Sequence, residues 1–176
     1  SVVKAKGSYV LRQDSNIHTA GQPYEGTYAY VGKAWWENYY LKLEIEPDDN
    51  DGLIVLFRYR DDDNYYRLIM DQERHYRRLE KKVAGAFTTL GEDLANGYGS
   101  DGWINVQIEV FGDTITVRLD HLPIFTVHDT AHSAGMIGVG TWGSTDTYFD
   151  DIIVTTSKID PYADAVVDAN IKVAGN

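Results

Sequence analysis

The sequence contains no cysteine, so disulfides and thiolate metal sites are excluded. Methionine, at two residues, and proline, at four, are scarce. Basic residues are in deficit. The 16 Lys and Arg against 27 Asp and Glu leave a formal net charge of −11. That balance argues against nucleic acid and anionic membranes as partners. It leaves room for a divalent cation, because calcium sites use Asp and Asn oxygens. No apolar run is long enough to cross a membrane, so no membrane insertion is expected, and no signal peptide is visible. The chain opens on Ser1 rather than Met, which reads as a cut from a longer protein. Long helical periods are missing as well. There is no HExxH among the five histidines and no GxSxG nucleophile elbow.

What is present favours strands. Tyrosine is abundant at 13, beside four tryptophans and five phenylalanines, and 16 glycines suit many tight turns. Short runs with period-two alternation recur along the chain: 8–14, 28–31, 41–46, 53–60, 65–71, 76–83, 103–111, 114–119, 124–127, 136–139 and 148–155, with 87–94 ambiguous. Gly112-Asp113 marks a two-residue hairpin between two of them. This pattern predicts an all-β chain, a two-sheet antiparallel jelly-roll β-sandwich over 1–157. After Ser157 the pattern stops, and 158–176 reads as a linker or the start of a following domain.

The segment 50–79 carries the strongest functional signal. Val55, Phe57 and Tyr59 are expected on one face of the first strand, with Ile54, Leu56, Arg58 and Arg60 on the other. Asp61-Asp62-Asp63-Asn64 then turns the chain into Tyr65 and Arg67. Aromatic rings stack on the apolar C–H faces of sugars, and guanidinium forks hydrogen-bond the hydroxyls. Arg58, Arg60, Tyr65, Arg67, Tyr76 and Arg78 are therefore candidate ligand-binding residues. The competing explanation is cross-strand packing with surface ion pairs, each contributing about 0–1 kcal/mol. A register error of one residue would exchange the faces. Trp36, adjacent to Trp35, and Trp142, in a Gly-rich stretch, are candidate stacking platforms.

Several spaced motifs agree in order: Trp36-x-x-Tyr39, Gly52 through Asp61, Asn64-Tyr65-Tyr66-Arg67-Leu68, Trp103-x-x-Val106, Phe111-Gly112-Asp113, Gly135-x-Ile137-Gly138 and Phe149-Asp150-Asp151-Ile152. In these the chain resembles the concanavalin A-like/laminin G-like jelly-roll domains of large secreted bacterial proteins, over roughly 28–155. The resemblance implies two curved antiparallel sheets and a glycan site on the concave sheet or the loop rim. It also implies a secreted or cell-surface location and neighbouring domains in the same chain. A structural Ca2+ is implied near the start of the last strand, at Asp150 or Asp151, with Asp14, Asn16 and Glu25 as partners. Asp61 and Asp63 offer a second acidic position at the rim.

A jelly-roll glycosidase needs paired carboxylates, about 5–5.5 Å apart for retention. Glu44 and Glu46 share a face about 6.5–7 Å apart along a strand, but the Glu-x-Asp-x-x-Glu pattern is absent. The expectation is a non-catalytic, lectin-like module binding a polysaccharide or other glycan. The alternatives are a structural or protein-binding spacer of a long adhesin, and a glycoside hydrolase or polysaccharide lyase.

Overall fold

The computed structural model describes residues 1–5, 7–99 and 102–157. The expected linker 158–176 lies outside the described residues. Among the described residues, thirteen strands form two antiparallel sheets. In chain order they are β1 Val2–Ala5, β2 Ser8–Gln13, β3 Thr27–Val31, β4 Tyr39–Pro47, β5 Gly52–Asp61, β6 Asn64–Asp71 and β7 Tyr76–Val83. They continue with β8 Ala86–Asp93, β9 Ile104–Phe111, β10 Thr114–Leu119, β11 Leu122–His128, β12 Met136–Trp142 and β13 Thr147–Thr155. The seven-stranded sheet runs β1-β2-β13-β4-β9-β10-β11, and the six-stranded sheet runs β3-β12-β5-β6-β7-β8.

Alternation explains the core. Leu41, Leu43 and Ile45 of β4 and Val106, Ile108 and Val110 of β9 point to the same side of the first sheet. They meet Leu53, Val55 and Phe57 of β5 and Leu68 and Met70 of β6 from the second. All are buried, and this apolar area taken from water is the main force holding the sheets together. The six-stranded sheet also buries part of its other face. Ile54, Leu56, Tyr59, Tyr65, Ile69, Tyr76 and Trp142 form a second cluster there. Its cover is the irregular segment 14–26 between β2 and β3, here called the strap.

Trp103 was expected to open a core strand. The strand begins instead at Ile104, and Trp103 is only half buried.

Candidate functional site

The expected face assignment of β5 fails after Phe57. Arg58 has φ 46°, and the pairing with β6 shifts between Phe57 and Asp61. This bulge turns Tyr59 outward beside Leu56 and turns Arg58 into the sandwich. Arg58 is 1% exposed. Its guanidinium makes four hydrogen bonds to three main-chain carbonyls: Nε and Nη2 to Glu37 O at 3.2 and 2.8 Å, Nη1 to His132 O at 3.0 Å, and Nη2 to Gly112 O at 3.0 Å. Its amide donates to the Tyr39 hydroxyl at 2.9 Å. Arg58 is thus a pin joining three loops at one rim of the sandwich, not a ligand contact.

The same rim holds a buried polar network. Tyr66 donates to Asp129 Oδ1 at 2.7 Å and accepts the His132 amide at 3.1 Å, and Lys81 closes on Asp129. His132 Nε2 donates to Lys82 O at 2.8 Å, and burial holds the ring's pKa below the usual 6.5. Unfolded His132 takes up a proton at higher pH than folded His132. Stability is therefore full above about 6.5 and falls as pH drops toward the folded value. Melting temperatures between about pH 7.5 and about pH 5.5 should fall for the native chain and fall less for His132→Gln.

Arg67, on the outer face of β6, is 2% exposed and pairs with Glu80 of β7, 5% exposed, through Nη2 and Oε2 at 2.7 Å. The remaining donors hold the strap: Nη1 to Tyr24 O at 3.2 Å and Nη2 to Pro23 O at 2.5 Å. Lys82 pairs with Glu25, and Arg78 reaches Gln22 Oε1 at 2.9 Å and Glu92. Tyr24 stacks on Tyr76, and Arg74 lies over the Trp142 ring at 4.7 Å. Trp142 Nε1 donates to Thr19 O at 2.8 Å.

Arg67, Tyr65, Tyr76 and Trp142, expected to meet a ligand, are therefore buried under or beside the strap. Trp36 packs against the core, while its neighbour Trp35 is the ring left in solvent. Arg60 is exposed, and Arg78 is partly covered. Of the three arginines expected to meet a ligand at this end of β5 and β6, the bulge sends Arg58 inward and the strap takes Arg67, which leaves Arg60 beside the acids 61–64.

What does face solvent beside the strap is Tyr30, backed by a row of largely covered aromatic rings. Tyr28 and Tyr30 of the edge strand β3 lie opposite Gly140 and Gly138 of β12. A Cβ at Gly140 would lie 2.2 Å from Thr27 O and 2.6 Å from Tyr28 Cβ. With hydrogen there instead, the tyrosines lie across β12 and reach β5. Tyr30 stacks on Tyr59, with ring centroids 4.7 Å apart, and is 54% exposed, so its second face is open. Tyr59 in turn stacks on Tyr65, and Phe87 of β8 meets Tyr65 edge-on. Asp62 in the β5–β6 turn accepts both the Tyr28 hydroxyl at 2.7 Å and the Tyr59 hydroxyl at 2.6 Å on Oδ1. Those bonds hold its carboxyl below 3.8, and they push the Tyr59 hydroxyl up to about 12, after burial as the larger cause. The result is an open ring face beside a carboxylate fixed in position and ionised at neutral pH.

Sequence reasoning missed Tyr28, Tyr30, Tyr59 and Asp62 as a group. The available signal was Tyr28-x-Tyr30 set against Gly138-x-Gly140, two period-two patterns that fit together only once the strands are paired.

The residues expected to hold calcium do not come together. Glu25 is paired with Lys82 on the six-stranded sheet, whereas Asp150 and Asp151 lie in a bulge of β13 in the other sheet. Asp150 Oδ1 accepts the Asp151 amide, and Asp61 Oδ1 is used by the Asp63 amide and the Asn64 side chain within its own turn. Asp14 and Asn16 lie in the strap segment. Among the described residues, no three acidic or histidine side chains gather as a metal-binding group. Glu44, one of the two carboxylates considered for catalysis, sits 4.0 Å from Lys42 Nζ.

No family model matches the chain, and no curated protein matches it. Solved structures do. The carbohydrate-binding module CBM66 from Bacillus subtilis is 19% identical with a TM-score of 0.62, over 74% of this chain and 91% of that one. A galectin from Caenorhabditis elegans is 13% identical with a TM-score of 0.55, over 83% and 95% of the two chains. Toad ovary galectin, solved in complex with thio-digalactose, is 13% identical with a TM-score of 0.58, over 74% and 98%. At these identities the likeness concerns architecture, and it agrees with the two-sheet topology: the chain is a concanavalin A-like jelly-roll β-sandwich.

Proposed function

We propose that the chain is a non-catalytic, lectin-like module that binds a glycan at the Tyr30–Asp62 patch, within a larger secreted or cell-surface protein. The observation that carries this reading is the open face of Tyr30 beside the ionised Asp62 carboxylate. A pyranose needs both: a flat apolar surface for its C–H face and a strong acceptor for its hydroxyls. Carbohydrate-binding proteins among the structural neighbours support it. Arg60, exposed beside the Asp-rich turn, supplies a donor at the margin. A shallow site of this kind binds weakly, and multivalent display raises its avidity.

A glycan array followed by titration of the best ligand tests the proposal. Tyr30→Ala and Asp62→Asn are each expected to weaken binding by about 10- to 100-fold, from lost stacking and from a lost hydrogen bond to a charged acceptor. Because the Asp62 pKa is lowered, the carboxylate that accepts from the ligand stays ionised from neutral pH to below the usual 3.8, and its contribution is lost only as pH falls through that lower value. Affinity should thus hold steady from neutral pH down to that range. Unchanged affinity in both variants would sink this site, and an array without any bound glycan would sink the function. Repeating the titration with chelator tests calcium, and a fall in melting temperature would require a metal site built from a different residue set.

A further inference from the structure

We infer that the chain has a second glycan-binding site, in the cleft beneath Trp35 at the rim that Arg58 pins. The inference rests on the glycan reading above but not on the Tyr30–Asp62 patch. Trp35 is 71% exposed, and among the described residues its ring meets Lys33 Nζ, 5.7 Å from the centroid. Beside it lies a cleft of about 460 Å³ whose lining includes Glu37, Asn38, Val154, Thr155 and Thr156. That volume falls within the range of small-molecule sites.

Two observations separate this cleft from a loop that merely happens to expose a tryptophan. The first is rigidity. The loop carrying Trp35 is held from below by two of the Arg58 hydrogen bonds, both to Glu37 O. It is held from the sides by Gly135 N to Trp36 O at 3.0 Å, Trp36 N to Lys33 O at 3.1 Å and Gly112 N to Asn38 Oδ1 at 2.7 Å. A ring offered from a fixed loop loses little freedom on binding, which is what a stacking platform requires. The second is chemistry. With Asn38 Oδ1 occupied by Gly112, its amide nitrogen is left to donate, while the exposed Glu37 carboxylate accepts. A donor and an acceptor beside one open indole suit a pyranose ring: its C–H face lies on Trp35 and its ring hydroxyls meet Glu37 and Asn38.

The test is an amide and indole NMR titration of the native chain with methyl glycosides of glucose, galactose, mannose and fructose. Trp35→Ala, Asp62→Asn and the double variant are titrated in parallel. Trp35 is exposed, so its variant should keep the native melting temperature. With a binding glycoside, two sets of signals are expected to move: the Trp35 indole and Asn38 side-chain amide, and separately the amides around Tyr30 and Asp62. In Trp35→Ala, which has no indole there, the Asn38 side-chain amide should report binding weakened by about tenfold or more, and the second set should be unchanged. If only the Tyr30–Asp62 signals move, the second site is overturned and the proposed function stands. If only the Trp35 signals move, and do so equally in Asp62→Asn, the cleft is upheld and the patch falls. If no glycoside moves either set, both are overturned.

Discussion

Replacing Arg58 with alanine is expected to lower the melting temperature by roughly 10 °C. The guanidinium is buried without an ion pair among the described residues, and burial lowers its pKa. Its compensation is four hydrogen bonds to the carbonyls of Glu37, Gly112 and His132. Alanine strands those acceptors at a rim water reaches only in part, at about 1–3 kcal/mol for each one left unsatisfied. A total near 3–5 kcal/mol follows, large for a single substitution. Arg58→Lys should recover little of it, because one ammonium on a flexible stem cannot bridge three carbonyls from three loops. Thermal unfolding of the three proteins measures the effect. A fall of only a degree or two for Arg58→Ala would mean that the loops hold themselves.

Arg67→Ala is the second large effect, expected to cost about 3–5 kcal/mol. Removing it leaves Glu80 charged and almost fully buried, and it frees the strap carbonyls of Pro23 and Tyr24. A double replacement, Arg67→Met with Glu80→Leu, should recover much of the loss, because a desolvated ion pair often does no better than apolar side chains of similar volume. The recovery should be incomplete, since methionine cannot hold the strap carbonyls. Denaturant midpoints of the native, single and double variants decide the matter. A double variant no more stable than Arg67→Ala would show that the arginine acts chiefly through the strap and not through Glu80.

The limits of the sequence follow from the same residues. The β9–β10 hairpin is legible because strict alternation flanks the Gly112-Asp113 turn, and the alternation of β4 shows equally plainly. β1 is not, because Val2-Val3-Lys4-Ala5 has too few residues to establish a period. The faces of β5 can be read as far as Phe57 and no farther. The bulge depends on an arginine finding carbonyls from positions 37, 112 and 132, and no local pattern announces contacts so distant. The strap is hidden for a different reason. Much of its hold on the sheet comes through its own main-chain carbonyls, and a carbonyl has no side-chain signature. Arginine and tyrosine stand out on these strands in the sequence, while the partners they meet are visible only in the packed structure.

The strap has a practical consequence for anyone cutting this protein. Between Arg12 and Lys33 the chain has no lysine or arginine. Trypsin therefore has no site within residues 14–26, whether the strap is seated or lifted, and a stable tryptic core says nothing about its position. Glu25 and Tyr24 are different: one is salt-bridged to Lys82 and the other packed on Tyr76, so both peptide bonds are shielded while the strap is down. A glutamate-specific protease or chymotrypsin reads the strap, and trypsin reads the rest of the sandwich.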